Sequence, residues 1–256
     1  MILHILILML VSGAHADSGR LGEIKTIDSG GAEIKTVEIK GDKGTRSAAV
    51  GEALVAGDHV VAGHDVTVTM ALRDGSQIVL AGDSEISVSE VADKTARGGS
   101  KLSLISGMLH ALVKKIYSKD EPFMVEAGNC VMGVRGTEFV VERESSGRAT
   151  LHTLEGAVAI ARTAADLRSP KQAQLVKAGL SSSMNPGDKR PQSPKKFNPK
   201  TLGEALSTRA PVIAKVVSVN QGARVAAAHA AAEKVAPAKK AVAPFKPPKP
   251  KKVKAK

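Results

Sequence analysis

Between roughly residues 21 and 165 apolar side chains recur every second position, and short runs of this kind are separated by turn residues at close spacing. Val66, Val68, Met70 and Leu72 alternate with Thr67, Thr69, Ala71 and Arg73. A period of two places successive side chains on opposite faces of a strand, so this is a half-buried β-strand. Asp74-Gly75-Ser76 follows, and the alternation resumes at Ile78 and Leu80. Asp-Gly between two such runs marks a hairpin, because its residues tolerate positive φ. The rhythm repeats at Ile86 and Val88, at Leu102 and Leu104 with a turn at Ser106-Gly107, and at Met108 to Val113. It continues at Phe123 and Val125, at Cys130 to Val134, at Phe139 and Val141, and at Leu151 to Ile160. Long helical periodicity is missing from this stretch. Many short strands with frequent turns mean an all-β fold, a compact two-sheet sandwich or β-roll.

Two further strands are expected upstream, Ile24 to Ile27 and Ala32 to Ile39, and a last one at Leu175 and Val176; the β-domain is placed at residues 21–180. Only 2% of the residues are aromatic, so the core must be built from Val, Ile, Leu, Met and Ala. The stretch 181–221, rich in Ser, Pro, Lys and Asn at its start, reads as a linker with an extra strand at 212–219. Residues 222–236 hold an Ala-rich segment of high helix propensity. From 237 to 256 the chain is Lys, Pro, Ala and Val with Phe245, a composition that cannot bury enough surface to order itself and is expected to be disordered.

Charge follows the same division. Residues 17–166 hold 17 Lys and Arg against 22 Asp and Glu, a net −5, whereas residues 167–256 carry a net +17. A basic segment on a mildly acidic body seeks polyanions. Lys234, Lys239, Lys240, Lys246, Lys249, Lys251, Lys252, Lys254 and Lys256 are the candidate polyanion-binding residues. Their attraction would be salt-sensitive and sequence-independent, and Phe245 alone offers little base stacking.

The N-terminus reads as an export signal over residues 1–16. Ile2 to Val11 is apolar apart from His4, and Ala14-His15-Ala16 supplies the small-residue cleavage pattern before Asp17. No Lys or Arg precedes the run, which is too short for a stable membrane span. The expected location is therefore periplasmic or otherwise extracytoplasmic. The expected partners are an envelope protein, a glycan or an anionic polymer, and nucleic acid only if the chain is not exported.

Chemistry-bearing motifs are few. No nucleophile elbow, zinc-protease motif or phosphate-cradling loop is present, and neither catalytic residues nor a cofactor is expected. His59 and His64, with Asp58 and Asp65, group metal-ligand types at a spacing that matches no zinc pattern. Cys130, alternating with Met132 and Val134, reads as a buried thiol. Arg135 beside Gly136 could bind an anionic ligand, but its alternating strand position favours a sheet-face ion pair.

The body resembles the FecR domain family. The resemblance rests on Gly51-Glu52-Ala53-Leu54-Val55-Ala56-Gly57-Asp58, on Leu72-Arg73-Asp74-Gly75-Ser76, on Leu104-Ile105-Ser106-Gly107, on Phe123-Met124-Val125 with Val134-Arg135-Gly136-Thr137-Glu138-Phe139, on Glu155-Gly156-Ala157-Val158, and on Val176-Lys177-Ala178-Gly179. It covers about residues 50–180. The family-motif positions Asp58, Asp74, Gly75, Ser76, Arg135, Gly136, Thr137, Glu155 and Gly156 are read as turn residues with structural roles. Members that act as iron-transport anti-sigma regulators carry a cytoplasmic segment and a membrane helix ahead of this domain. Here the domain follows the signal directly, so the resemblance implies an extracytoplasmic interaction domain and not the anti-sigma role. The expected function is a non-enzymatic binding, scaffold or sensor-type module tethered by its tail. The rival is a nucleic-acid-binding protein using the same tail.

Overall fold

A computed structural model describes residues 19–29, 37–93, 98–114, 117 and 121–221. The chain divides into two units, Met1–Lys215 and Val216–Lys256. The expected signal segment 1–16, the Ala-rich segment 222–236 and the tail 237–256 lie outside the described residues, as does the start of the strand expected at Ala32.

Among the described residues the first unit holds seventeen strands in two sheets. Sheet one runs β4 (Ala53–Val55), β1 (Arg20–Asp28), β6 (Thr67–Leu72), β7 (Gln77–Leu80), β9 (Ser100–Leu112), β12 (Glu138–Arg143), β13 (Ala149–Glu155), β16 (Leu180–Met184) and β17 (Lys195–Lys196). Sheet two runs β3 (Gly44–Ser47), β2 (Val37–Gly41), β5 (Asp58–Ala62), β8 (Ser84–Glu90), β9 again, β10 (Phe123–Ala127), β11 (Cys130–Val134), β14 (Ala157–Ala161) and β15 (Gln174–Lys177). All pairings are antiparallel except β9 with β10. The inner faces form one core, with Ile24, Met70, Ile78 and Phe139 from sheet one meeting Ile39, Val60, Ile86 and Met132 from sheet two. The alternation read from the sequence is therefore the alternation between this core and the outside.

The turn expected at Ser106-Gly107 is corrected. β9 is one continuous strand of 13 residues. Its first half pairs with β8 and β10 in sheet two, and its second half with β7 and β12 in sheet one. Gly107, at φ +82°, is where the strand passes from one sheet to the other. A Cβ there would stand 2.0 Å from Ser84 Oγ, so glycine is needed for both conformation and space.

The linker reading of 181–221 is also corrected. β16 pairs with β13, and the chain folds back along it: Gln192 N–H donates to Ser183 O at 2.9 Å, and Ser182 Oγ donates to Gln192 O at 2.7 Å. Helix α1 (Pro199–Arg209) then begins. Asn198 caps it by accepting the Lys200 N–H at 2.9 Å, and Pro199 supplies the preset φ of a first turn. The stretch 212–219, expected as a strand, is helical within 211–221. Its β-branched residues suggested a strand, but Ile213 and Val217 are four apart and buried while Val219 is exposed, a period of one helical turn. Among the described residues no helix is long and apolar enough to cross a membrane.

Candidate functional site

The motif residues fall into three places, and most are holding the fold. Asp58 is buried at the start of β5, where its carboxylate accepts Arg46 Nη1 and Nη2 at 3.1 and 2.8 Å and the Val55 N–H at 2.9 Å. This pairing, ahead of a second contact to Glu52, raises the Arg46 guanidinium above its ordinary pKa. Asp74 is buried in the β6–β7 hairpin. It accepts the Ser76 N–H and Ser76 Oγ, both at 2.8 Å, and the hydroxyl of buried Tyr117. Tyr117 also meets Ser100 Oγ at 2.7 Å, and burial first, then Asp74, pushes the phenol above its usual range. The Asp-Gly-Ser turn thus points into the domain, not out of it.

Gly136-Thr137 and Glu155-Gly156, nineteen or so residues apart in the chain, are stacked on each other. Gly156 lies at φ +74°, and a Cβ on it would meet Thr137 Cγ2 at 2.7 Å and Gly136 O at 3.1 Å. Arg135 lies just beyond β11 and is exposed. The expected ion pair is corrected: its side chain pairs with no described residue, because the strand ends before it.

The histidine–aspartate group is dispersed. His59 Nδ1 meets Glu85 Oε1 at 2.8 Å, and Asp58 belongs to Arg46. His64 Nδ1 meets Asp83 Oδ2 at 2.7 Å, with Asp65 Oδ2 at 3.4 Å from Nε2. Among the described residues no group of three or more His, Cys, Asp or Glu is placed to hold a metal ion. Burial pushes the Cys130 thiol up to about 12, which leaves it a neutral thiol at physiological pH.

One pair was not read from the sequence. His110 Nε2 and Glu138 Oε1 lie 2.7 Å apart, both fully buried, joining β9 to β12. The residues are 28 apart in the chain, and each occupies an outward position of its strand that sequence alone assigns to solvent.

A cleft of about 1010 Å³ lies around the crossing point of β9. Ser106, Gly107 and Met108 line it, together with Ser29 after β1, the turns at 63–67 and 81–83, the loop after β12, and the end of α1. Ser84 Oγ accepts the Met108 N–H at 2.9 Å and donates to Gly82 O at 3.0 Å, holding the 81–83 turn to β9. Asp65 (φ 59°) and Asp83 (φ 55°), the two non-glycine residues with positive φ among those described, both line the cleft and both face His64. Aspartate visits this region because its short side chain can bond locally. Arg209 of α1 pairs with Glu142 of β12, which raises the guanidinium above its ordinary pKa, and Arg143 donates to the Ile105 carbonyl. Asp28, Asp65, Asp83 and Glu144 complete a wall of mixed charge. Such a surface recognises polar groups by hydrogen bonds and charge; it has no enclosed apolar interior.

Residues 58–159 match the family model described as FecR protein. The chain carries a FecR domain. The matched segment runs from β5 to β14 and so includes the buried Asp58, the hairpin of Asp74, the crossing strand β9 and the stacked glycine turns. FecR-domain proteins are typically non-catalytic signalling or anti-sigma proteins, and their FecR domains are usually periplasmic. Two crystal structures of a candidate anti-sigma factor from Parabacteroides distasonis ATCC 8503 are similar to the chain at 13% identity and a TM-score of 0.45. The matches cover 56% and 58% of this chain, and 62% and 64% of those chains, less than two thirds of their length. No curated protein matches the chain.

Proposed function

We propose that the chain is an extracytoplasmic, non-catalytic binding or scaffold module, whose FecR domain meets a protein or glycan at the charged cleft and whose C-terminal lysines hold it to anionic components of the cell envelope. The observation that carries the reading is the charge division beside a FecR domain: −5 over residues 17–166 and +17 over residues 167–256. A body of the same sign as an anionic envelope stays clear of it, while the basic end is drawn to it. The cleft supports the binding half, since its lining comes from turns and strand ends on a rigid two-sheet scaffold, where binding residues usually sit.

The test is cell fractionation with low- and high-salt washes and mass spectrometry of the mature N-terminus. The reading expects a chain beginning at Asp17, in the envelope fraction, released by high salt; deletion of 237–256 should release it at low salt. Envelope retention unchanged by that deletion defeats the tether. A cytosolic chain that keeps Met1 and co-purifies with nucleic acid defeats the whole reading in favour of its rival.

A further inference from the structure

The outer face of sheet two carries a feature that the charged cleft does not explain. Strand register aligns Met124 of β10, Gly133 of β11, Ala159 of β14 and Leu175 of β15 in a single cross-strand row. Two residues with little or no side chain stand between two long apolar ones, which makes a floor with walls. Leu167, in the 3-10 turn Asp166–Arg168, leans over the floor, its Cδ1 3.2 Å from where a Cβ on Gly133 would be. The resulting groove has a volume of about 790 Å³, and Leu175 on its wall is 55% exposed. That size falls within the roughly 300–1,000 Å³ of small-molecule sites, which are mostly apolar with a few placed polar groups.

The charges on the groove are of one sign. Arg135 and Arg168 line it and no carboxylate does, on a body whose net charge is negative. The Arg135 guanidinium makes no hydrogen bond or ion pair with a described residue. An apolar trough ending at an uncommitted guanidinium is complementary to a molecule with a hydrocarbon body and an anionic head. A guanidinium takes a carboxylate or phosphate through paired N–H donors.

We infer that this groove binds a single-chain anionic amphiphile, its hydrocarbon chain lying over Gly133 and Ala159 and its carboxylate or phosphate head at Arg135. The site is separate from the charged cleft and independent of the tail lysines, so its failure leaves the tether reading standing and the reverse also holds.

The experiment is calorimetric titration of the full chain with dodecanoate, dodecyl phosphate, dodecanol and inorganic phosphate, each below its aggregation concentration. Dodecanoate and dodecyl phosphate should bind saturably at one site, dodecanol about tenfold more weakly, and inorganic phosphate not measurably. Arg135→Gln should bring dodecanoate down to the level of dodecanol, about tenfold, without altering dodecanol binding. Ala159→Phe should abolish binding of all three chains by filling the floor. Leu175→Asp, at an exposed position that the fold does not need, should do the same by placing a carboxylate on the wall, and covers the case where Ala159→Phe fails to fold. The tail is unchanged in every variant, so its non-specific attraction cancels. Absence of saturable binding by the parent chain, equal affinity for dodecanoate and dodecanol, or unchanged affinity in Arg135→Gln or in folded Leu175→Asp overturns the inference.

Discussion

The outer faces of the two sheets are built by the same alternation and have opposite fates. On sheet one, Met108, Val140 and His152 face Thr201, Leu202, Ala205 and Leu206 of α1 across a pocket of about 350 Å³, and Leu206 is 1% exposed. Phe197, just before the helix, meets the His152 ring edge-on at a centroid distance of 5.2 Å. On the same sheet His110 and Glu138 are fully buried, and charges so buried must be paired. On sheet two, among the described residues, Leu167 of a three-residue turn leans over the row Met124–Gly133–Ala159–Leu175 at Gly133. Glycine and alanine between Met124 and Leu175 leave a groove there. One outer face buries a charged pair completely; the other sets glycine and alanine between two long apolar side chains.

The junction of the two faces is the place to break this comparison most severely. Gly107→Val would put a branched side chain at φ +82°, against Ser84, at the point where β9 leaves one sheet for the other. A loss of about 4 kcal/mol or outright failure to fold is expected, read by urea denaturation. On the outer face of sheet one, Glu138→Ala leaves His110 buried beside an empty space and should cost about 3 kcal/mol, with the same readout. A loss under about 1 kcal/mol would show that the face is wetter than its burial says. Asn198→Ala removes the cap of α1 and should cost about 1 kcal/mol, seen as faster amide exchange in α1 with β10 and β11 unaffected.

Acid should sharpen the contrast with the smallest effect. Burial, opposed by Glu142, lowers the His152 pKa below its ordinary 6.5. The unfolded chain therefore takes up the proton first, and stability that is complete above pH 6.5 declines as the pH falls through that value toward the folded one. Exchange in α1 should quicken over that window, and His152→Phe should remove this component.

How much of this was legible beforehand differs by element. The alternation around Asp74-Gly75-Ser76 placed β6 and β7 correctly, because a hairpin is local: its register depends on the turn and on residues within reach of it. β9 was misread as two strands, since a glycine that turns the chain and a glycine that passes it between sheets have the same composition. The helices after residue 198 were misread for a related reason. Isolated segments of that length have little helical preference of their own, and burial of one side decides their state. Of the sites, the motif glycines were legible as backbone devices, but the inward direction of Asp74 and the meeting of Gly136 with Gly156 were not.

By itself the amino-acid sequence determined the all-β class, the positions of most strands and turns, and the division of charge along the chain, since each depends on neighbours in sequence or on composition. Tertiary structure alone decided that β9 serves both sheets, that His110 meets Glu138, and that one outer face is covered while the other keeps a groove. Each of these depends on which distant strand lies alongside, and a period of two records only that a residue faces in or out, never what it faces.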